Sequence, residues 1–207
     1  MNQEKKLQVI EQINQFWPIS EITLKSLENY VAALIKYNQK YNLIGESTIE
    51  DIWNRHILDS AQLLKYIKDK NLVTGDFGSG AGFPGMVLSI LGLKEVHLIE
   101  KSFRKCEFLE LAKEFSSGKI TIHQKNAEEI KDIKFDLITS RAFAPMIRLL
   151  STIKPFTKEN TICLFLKGKN VDNELNLAKK IHRFNYTGHS SLTSKESKII
   201  LISKFLT

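Results

Sequence analysis

The stretch that decides the fold is the glycine-rich segment DFGSGAGFPG, which occupies residues 76–85. It follows a short apolar run at 72–77 and precedes a helix-like pattern at 84–91, so it lies where a β-strand turns into a helix. Glycines at such a turn let the backbone approach a ligand closely, because no Cβ stands in the way. Pro84 suits the first helical position. The segment therefore predicts a ligand-binding loop.

After this segment, short apolar runs alternate with amphipathic helical patterns. The predicted strands are 72–77, 96–100, 120–123, 135–139, 161–166, 184–191 and 198–205. The predicted helices are 84–91, 103–115, 145–152 and 171–182. Strands that alternate with helices are typical of a parallel sheet, and the last two strands, which no helix separates, predict an antiparallel edge hairpin. We therefore expect an α/β fold with a seven-stranded, mostly parallel sheet.

Before the segment, the apolar spacing is helical. Residues 1–70 predict a helical lobe that packs on a core formed by residues 71–207, since no Pro/Gly-rich linker separates them. Ser20 is expected to cap the second helix of this lobe. Thr48 and Asp51 match a capping box and are expected to open a third helix.

The spacing of the glycines separates two classes of nucleotide ligand. A dinucleotide fingerprint, GxGxxG, requires glycine where this chain has Phe83. Asp76, two residues before the loop glycines, suits the cationic amino-acid end of S-adenosylmethionine better than a pyrophosphate. Glu100, after the second strand, is placed to accept ribose hydroxyls of either cofactor. We therefore expect S-adenosylmethionine and disfavour a nicotinamide oxidoreductase.

Residues 126–129, after the third predicted strand, lie where an adenine ring would be flanked. Glu128 and Glu129 are also consistent with the start of a solvated helical turn, which would give them no ligand. Both interpretations remain open from the sequence.

Composition and charge limit the function further. Of the 207 residues, 43% are hydrophobic and 26% charged, as in a globular protein with a substantial core. No apolar run approaches the ~18 residues of a membrane span, and we see no secretory signal. Cys106 and Cys163 have no metal-binding spacing, so we expect reduced thiols, no metal site and a cytoplasmic location.

The formal net charge of +7 arises in the last third of the chain. Residues 141–207 contain 12 basic and 4 acidic residues, residues 1–75 contain 9 of each, and residues 76–140 contain 9 basic and 10 acidic residues. A clustered basic surface favours a polyanion such as RNA, whereas a scattered one is only a solvated lysine-rich surface. Charge alone leaves both interpretations open.

Several motifs in order along the chain are similar to those of one bacterial family. They are YNL at 41–43, RHILDS at 55–60, GSGAGFPG at 78–85, RK at 104–105, FL at 108–109, AEE at 127–129, SRAFA at 140–144 and LKG at 166–168. From about residue 25 onward the chain resembles the 16S ribosomal RNA small subunit methyltransferase G family, also called glucose-inhibited division protein B. Thr74 and Gly75 stand where this family has aliphatic residues, which is expected to loosen that strand.

The resemblance implies a Rossmann-like class I S-adenosylmethionine-dependent methyltransferase with an N-terminal helical extension. It implies methylation of guanine N7 at position 527, in conventional rRNA numbering, with 16S rRNA or the small ribosomal subunit as partner; we expect a monomer. The cofactor contacts that it carries over are Gly78, Phe83, Ala127, Glu128 and Arg141. The loop glycines Gly80 and Gly82 and the ribose partner Glu100 complete the expected set.

Guanine N7 has an in-plane lone pair, so the expected reaction needs positioning rather than a general base. Phe143 and Arg141 are candidates to stack on and hydrogen-bond a displaced base, and Lys167 to bind phosphate or guanine O6. His56 and Asp59, three residues apart on one helix face, either contact RNA or the active site, or form a hydrogen-bonded pair that locks the lobe onto the sheet. Two alternatives stay open: a methyltransferase of the same fold for another RNA, a protein or a small molecule, and a non-enzymatic RNA-binding assembly factor.

Overall fold

The glycine-rich segment begins with the last two residues of the first of seven β-strands that the structure, a computed structural model, describes between residues 3 and 205. The strands are β1 (Val73–Phe77), β2 (Glu95–Ile99), β3 (Lys119–His123), β4 (Phe135–Arg141), β5 (Thr157–Lys167), β6 (Phe184–Ser190) and β7 (Lys198–Phe205). Most ends lie within one residue of their predicted positions, but β4 and β5 are longer than predicted. Residues 1–2 and 206–207 of the expected lobe and core lie outside the described residues.

The strands form one sheet in the order β3-β2-β1-β4-β5-β7-β6. β1 to β5 run parallel, and β7 pairs antiparallel with both β5 and β6. The predicted mostly parallel, seven-stranded sheet with an antiparallel edge hairpin is therefore confirmed. The strand order reverses between β1 and β4, and ligands of open α/β sheets bind beyond the carboxyl ends of the strands at such a point.

The helices before β1 are α1 (Gln3–Asn14), α2 (Glu21–Tyr41) and a composite segment, 53–66, in which α3 (Asp59–Ala61) lies between π-helical Trp53–Leu58 and 3-10-helical Gln62–Tyr66. The core helices are α4 (Gly85–Ile90), α5 (Phe103–Ala112), α6 (Met146–Ile153) and α7 (Val171–Ala178). Short 3-10 turns occupy Glu46–Thr48, Lys113–Phe115, Ala127–Glu129 and Lys154–Phe156. Within residues 3–205, no helix has the length and apolar character to cross a membrane.

Alternate side chains of the strands enter two apolar clusters, one on each face of the sheet. In β5, Leu164 packs with α4, α5 and the N-terminal helices, whereas Phe165 packs with α6 and α7. The N-terminal helices therefore share a continuous core with one face of the sheet.

The start of the composite segment differs from its prediction. Ser20 caps α2 as expected, because its side chain accepts from the Thr23 amide at 3.1 Å. Thr48, however, lies in a 3-10 turn, and its hydroxyl donates to the Gly45 carbonyl at 2.7 Å. The helix begins only at Trp53, in π form, so the capping box expected at Thr48 is wrong.

Contacts of α2 reach the glycine-rich loop itself. Tyr30 is fully buried, and its hydroxyl donates to the Ala81 carbonyl at 2.6 Å. Its ring also meets Phe83, with 5.8 Å between the ring centroids. The N-terminal helices therefore support the loop directly.

The packing of β1 against Phe135 explains why a glycine stands at position 75. A Cβ at this position would lie 2.5 Å from Cδ2 of Phe135, so the aromatic ring of β4 occupies the space of the missing side chain. The strand is thus buried and packed at this point, and the expected loosening is not observed.

Asp76 fixes the geometry of the loop. Its side chain is fully buried, Oδ1 accepts from the Thr139 hydroxyl of β4 at 2.8 Å, and Oδ2 accepts from the Gly85 amide at 3.1 Å. Both carboxylate oxygens therefore have partners within the protein, and the expected contact with the cationic end of S-adenosylmethionine stays a prediction. Burial, partly offset by these hydrogen bonds, raises the pKa of Asp76 to about 6.

We expect Asp76→Asn to change the pH dependence of stability. An acid whose pKa is higher in the folded state binds more protons there, so its contribution to the free energy of unfolding falls as the pH rises from 3.8 to about 6. The free energy of unfolding of Asp76→Asn, relative to that of wild type, should therefore rise by up to about 3 kcal/mol between pH 4 and pH 7. Urea denaturation at both pH values measures this difference.

Glu159→Gln, which removes an exposed carboxylate, is the matched control and should show no such gain. A difference between Asp76→Asn and wild type that stays constant over this pH range would contradict the proposed burial of an ionised Asp76.

Candidate active site

Two cavities adjoin each other beyond the carboxyl ends of the central strands. The larger, of about 500 Å³, is lined by side chains that include Asp59, Arg141, Lys167 and Glu174. The smaller, of about 290 Å³, is lined by residues from the ends of β1, β2 and β3. Ala142 and Phe143 line both cavities, so the segment after β4 forms the boundary between them.

The first loop glycine makes room for this boundary. Gly78 has a φ of 72°, and a Cβ there would lie 2.5 Å from Cδ2 of Phe143. Gly80 has a φ of 60°, and its amide donates to Oε2 of Glu100 at 3.0 Å. Both positions favour glycine because of their left-handed backbone conformation.

Glu100 is nearly buried and lines the smaller cavity. Its Oε2 accepts from Gly80, and its Oε1 accepts from the Ser102 amide at 2.8 Å. A carboxylate offers about four lone-pair sites, so each oxygen retains the capacity to accept a ligand hydroxyl. The geometry suits the ribose role predicted for Glu100.

The turn after β3 separates the roles of its two acids. Glu129 forms a capping box with Asn126, whose backbone N–H donates to Glu129 Oε1 at 3.3 Å. Glu128 is exposed and lines the smaller cavity together with Ala127. The structural interpretation thus fits Glu129, whereas Ala127 and Glu128 are placed to contact a ligand.

Arg141 joins β4 to the composite helical segment. Its Nη1 donates to the Arg55 carbonyl at 3.0 Å and to Oδ2 of Asp59 at 3.3 Å. Asp59 Oδ1 in turn accepts from the Thr193 hydroxyl, which lies in the turn between β6 and β7, at 2.7 Å. Three distant parts of the chain therefore meet at the wall of the larger cavity.

His56 holds Arg141 from a second side. Arg141 Nη2 lies 2.7 Å from His56 Nδ1, and because a guanidinium can only donate, Nδ1 accepts. The ring proton is then on Nε2, which donates to the Thr48 hydroxyl oxygen at 2.8 Å. Burial, with smaller effects from Arg141 and Arg55, lowers the pKa of His56 to about 3. His56 therefore stays neutral and positions Arg141, which favours the structural interpretation of this histidine.

Some predicted site residues line neither cavity. Phe83 is buried, with the His56 ring stacked at 4.7 Å and the Arg141 guanidinium 4.8 Å from its centroid. Gly80 and Gly82 belong to the loop backbone; a Cβ at Gly82 would lie 2.6 Å from Cβ of Met86. These residues shape the loop and support Arg141, but they are not part of the lining of either cavity.

Lys167 is not a free cation. Its Nζ donates to Glu174 Oε2 and to the Ala144 carbonyl, both at 2.7 Å, and its side chain is 9% exposed. Glu174 Oε2 also accepts from the Met146 amide at 2.9 Å. The expected role of Lys167 in binding phosphate therefore competes with a neutralising ion pair.

Glu174 was missed by sequence reasoning. It lies in the first turn of α7, where an acidic residue is ordinarily explained by the helix dipole. Its Oε1 has no hydrogen-bond partner among residues 3–205, whereas Oε2 has two. Only the fold shows that this fixed carboxylate faces the larger cavity.

A solved structure shares this architecture at low sequence identity. The magnesium protoporphyrin IX methyltransferase of Synechocystis PCC 6803, solved with bound S-adenosylmethionine, aligns with a TM-score of 0.60 and 13% identity. The alignment covers 90% of this chain and 98% of that chain. The fold is therefore that of a Rossmann-like class I methyltransferase, as expected.

Relatives in sequence are much closer. Ribosomal RNA small subunit methyltransferase G of Orientia tsutsugamushi (strain Boryong) is 42% identical over 195 residues, which is 94% of this chain and 98% of the relative. The protein of that name from Rhodospirillum rubrum is 44% identical over 162 residues, or 78% of this chain and 81% of the relative. The family described as rRNA small subunit methyltransferase G matches residues 23–202. The chain therefore belongs to the rRNA small subunit methyltransferase G family.

Proposed function

We propose that this rRNA methyltransferase transfers a methyl group from S-adenosylmethionine to N7 of a guanine in 16S rRNA, guanine 527 in conventional rRNA numbering. Family membership supports rRNA as the substrate. The observation that favours guanine is the carboxylate of Glu174, which is fixed at one oxygen and free at the other. We further propose that the enzyme acts as a monomer in the bacterial cytoplasm, where ribosomes are assembled.

The smaller cavity fits the cofactor that the fold and the family imply. Glu100 offers acceptors for ribose hydroxyls, Ala127 and Glu128 flank the adenine position, and Gly78 brings backbone to the cavity wall. When bound, S-adenosylmethionine supplies a methyl group on a positively charged sulfur. Phe143, which lines both cavities, lies where the cavity proposed for the cofactor meets the cavity proposed for the target base.

The larger cavity fits a displaced guanine. The Watson–Crick edge of guanine carries adjacent N1–H and N2–H donors, and a carboxylate is the side chain that accepts from such donors. Glu174 Oε1 is available for this contact, while the Lys167 ammonium pairs with Oε2. N7 and the Watson–Crick edge lie on opposite sides of the guanine base. A guanine whose Watson–Crick edge is bound to Glu174 therefore turns its N7 away from Glu174.

The chain has little proton chemistry to perform. The lone pair of guanine N7 needs no deprotonation, so rate enhancement comes from holding the base and cofactor in line. The neutral His56 agrees with this requirement, because it supports Arg141 instead of taking a proton.

Transfer of labelled methyl groups tests the proposal directly. Purified protein, labelled S-adenosylmethionine and either naked 16S rRNA or small subunits should give label at N7 of a single guanine, located by nuclease digestion and mass spectrometry. Label on another atom, another RNA or a protein would contradict the substrate assignment and favour a different methyltransferase of this fold. Failure to bind S-adenosylmethionine in calorimetry would favour a non-enzymatic assembly factor.

Glu174→Gln should reduce kcat/KM by roughly 5- to 150-fold, because it removes the charged acceptor for the guanine edge. Asp172→Asn is the matched control. Asp172 lies on the same helix, and its carboxylate pairs with Lys198 at the surface. This control should retain nearly full activity, and both variants should melt within a few degrees of wild type, or about 1 kcal/mol. Equal turnover of Glu174→Gln and Asp172→Asn would remove Glu174 from the site.

A further inference from the structure

Four basic side chains surround the smaller cavity, and the proposed reaction does not use them. Lys101 precedes α5, Lys105 lies within α5, Lys125 follows β3, and Arg148 belongs to α6. All four line the cavity, and Lys101, Lys125 and Arg148 are exposed to solvent at its mouth. We call these four residues the mouth cations.

The mouth cations differ from the basic residues of the larger cavity. There, Lys167 is paired with Glu174 and Arg141 with Asp59. Across the described part of the chain, by contrast, no carboxylate forms an ion pair with a mouth cation, and their side chains make no hydrogen bonds. Their charge is therefore available to a ligand.

The cofactor does not account for this charge. S-adenosylmethionine carries an ammonium and a sulfonium group against one carboxylate, so it is a net cation. Its carboxylate has room for one or two of the mouth cations, and the others repel it. Glu100 and Glu128 also line the cavity but leave the wall with a positive balance.

An anion with several charges, close to the cofactor, is the ligand that such a wall suits. The RNA backbone supplies one phosphate charge per nucleotide, and lysine and arginine side chains bind it in exchange for released counterions. The target base enters the adjoining cavity, which shares Ala142 and Phe143 with this one, so flanking nucleotides lie within reach of the mouth.

We propose that Lys101, Lys105, Lys125 and Arg148 bind phosphates that flank the target base, so that bound RNA lies across the mouth of the cofactor cavity. This inference rests on the proposed RNA substrate. It fixes the order of events: the cofactor enters before the RNA, and the spent cofactor leaves only after the RNA has dissociated.

The test compares two triple variants of equal charge. Lys101→Gln/Lys105→Gln/Lys125→Gln removes three mouth cations, while Lys36→Gln/Lys68→Gln/Lys180→Gln removes three exposed lysines elsewhere. For each protein we would measure 16S rRNA affinity against salt concentration. The dissociation rate of labelled S-adenosylhomocysteine, with and without saturating 16S rRNA, is the second readout.

Saturating RNA should slow cofactor dissociation from wild type and the control by roughly tenfold, and the mouth variant should lose this effect. The mouth variant should also lose roughly 2 units of salt slope, from three fewer phosphate contacts. Without RNA, its cofactor affinity should equal or exceed that of wild type.

RNA that leaves cofactor dissociation unchanged in wild type, or a mouth variant that behaves like the control, would overturn the inference. Failure of the proposed function is distinguishable, because it appears as absent guanine N7 methylation in wild type. Normal methylation with unhindered cofactor exchange would overturn this inference and leave the proposed function standing.

Discussion

A carboxylate that solvent cannot reach connects the segments from which the active site is built. Asp76 of β1 accepts from Thr139 of β4 and from the amide of Gly85 at the start of α4, so the sheet register sets the position of the glycine-rich loop. Glu100 holds the same loop from the neighbouring strand through the Gly80 amide. The glycines therefore allow the loop backbone several conformations, and the hydrogen bonds that the two acids accept from the loop stabilise one of these conformations.

The sheet was predictable because its signals are local. The mostly parallel sheet, its edge hairpin and most strand ends were predicted from three local patterns. These are the apolar runs of the strands, the helical spacing between them and the glycine-rich loop. The geometry of the composite segment 53–66 was not predictable, because it depends on residues that are remote in the chain. Asp59 meets Arg141 and Thr193, which lie 82 and 134 residues later in the chain, and no local pattern encodes such contacts.

The motifs located the neighbourhood of the site but did not assign partners. Glu100, Ala127 and Glu128 line one cavity, Arg141 and Lys167 line the other, and Phe143 lines both. The motifs gave no sign that Lys167 is paired with Glu174. Charge counting by segment is limited in a similar way. It pointed to the last third of the chain, whereas three of the four mouth cations come from residues 76–140, where acidic residues elsewhere in the segment conceal them.

The place of β7 in the sheet has a consequence for how the protein is made. β7 follows every other described strand in the chain, but it lies inside the sheet, between β5 and β6, and buries Ile199, Ile200 and Ile202. During synthesis β6 leaves the ribosome with no strand to pair with, and β5 keeps an open edge until β7 emerges. The turn that brings Thr193 to Asp59 closes at the same moment. The larger cavity, whose lining includes Ser197 just before β7, is therefore completed only at the end of translation of this region, and a nascent chain that stalls before β7 lacks the finished cavity.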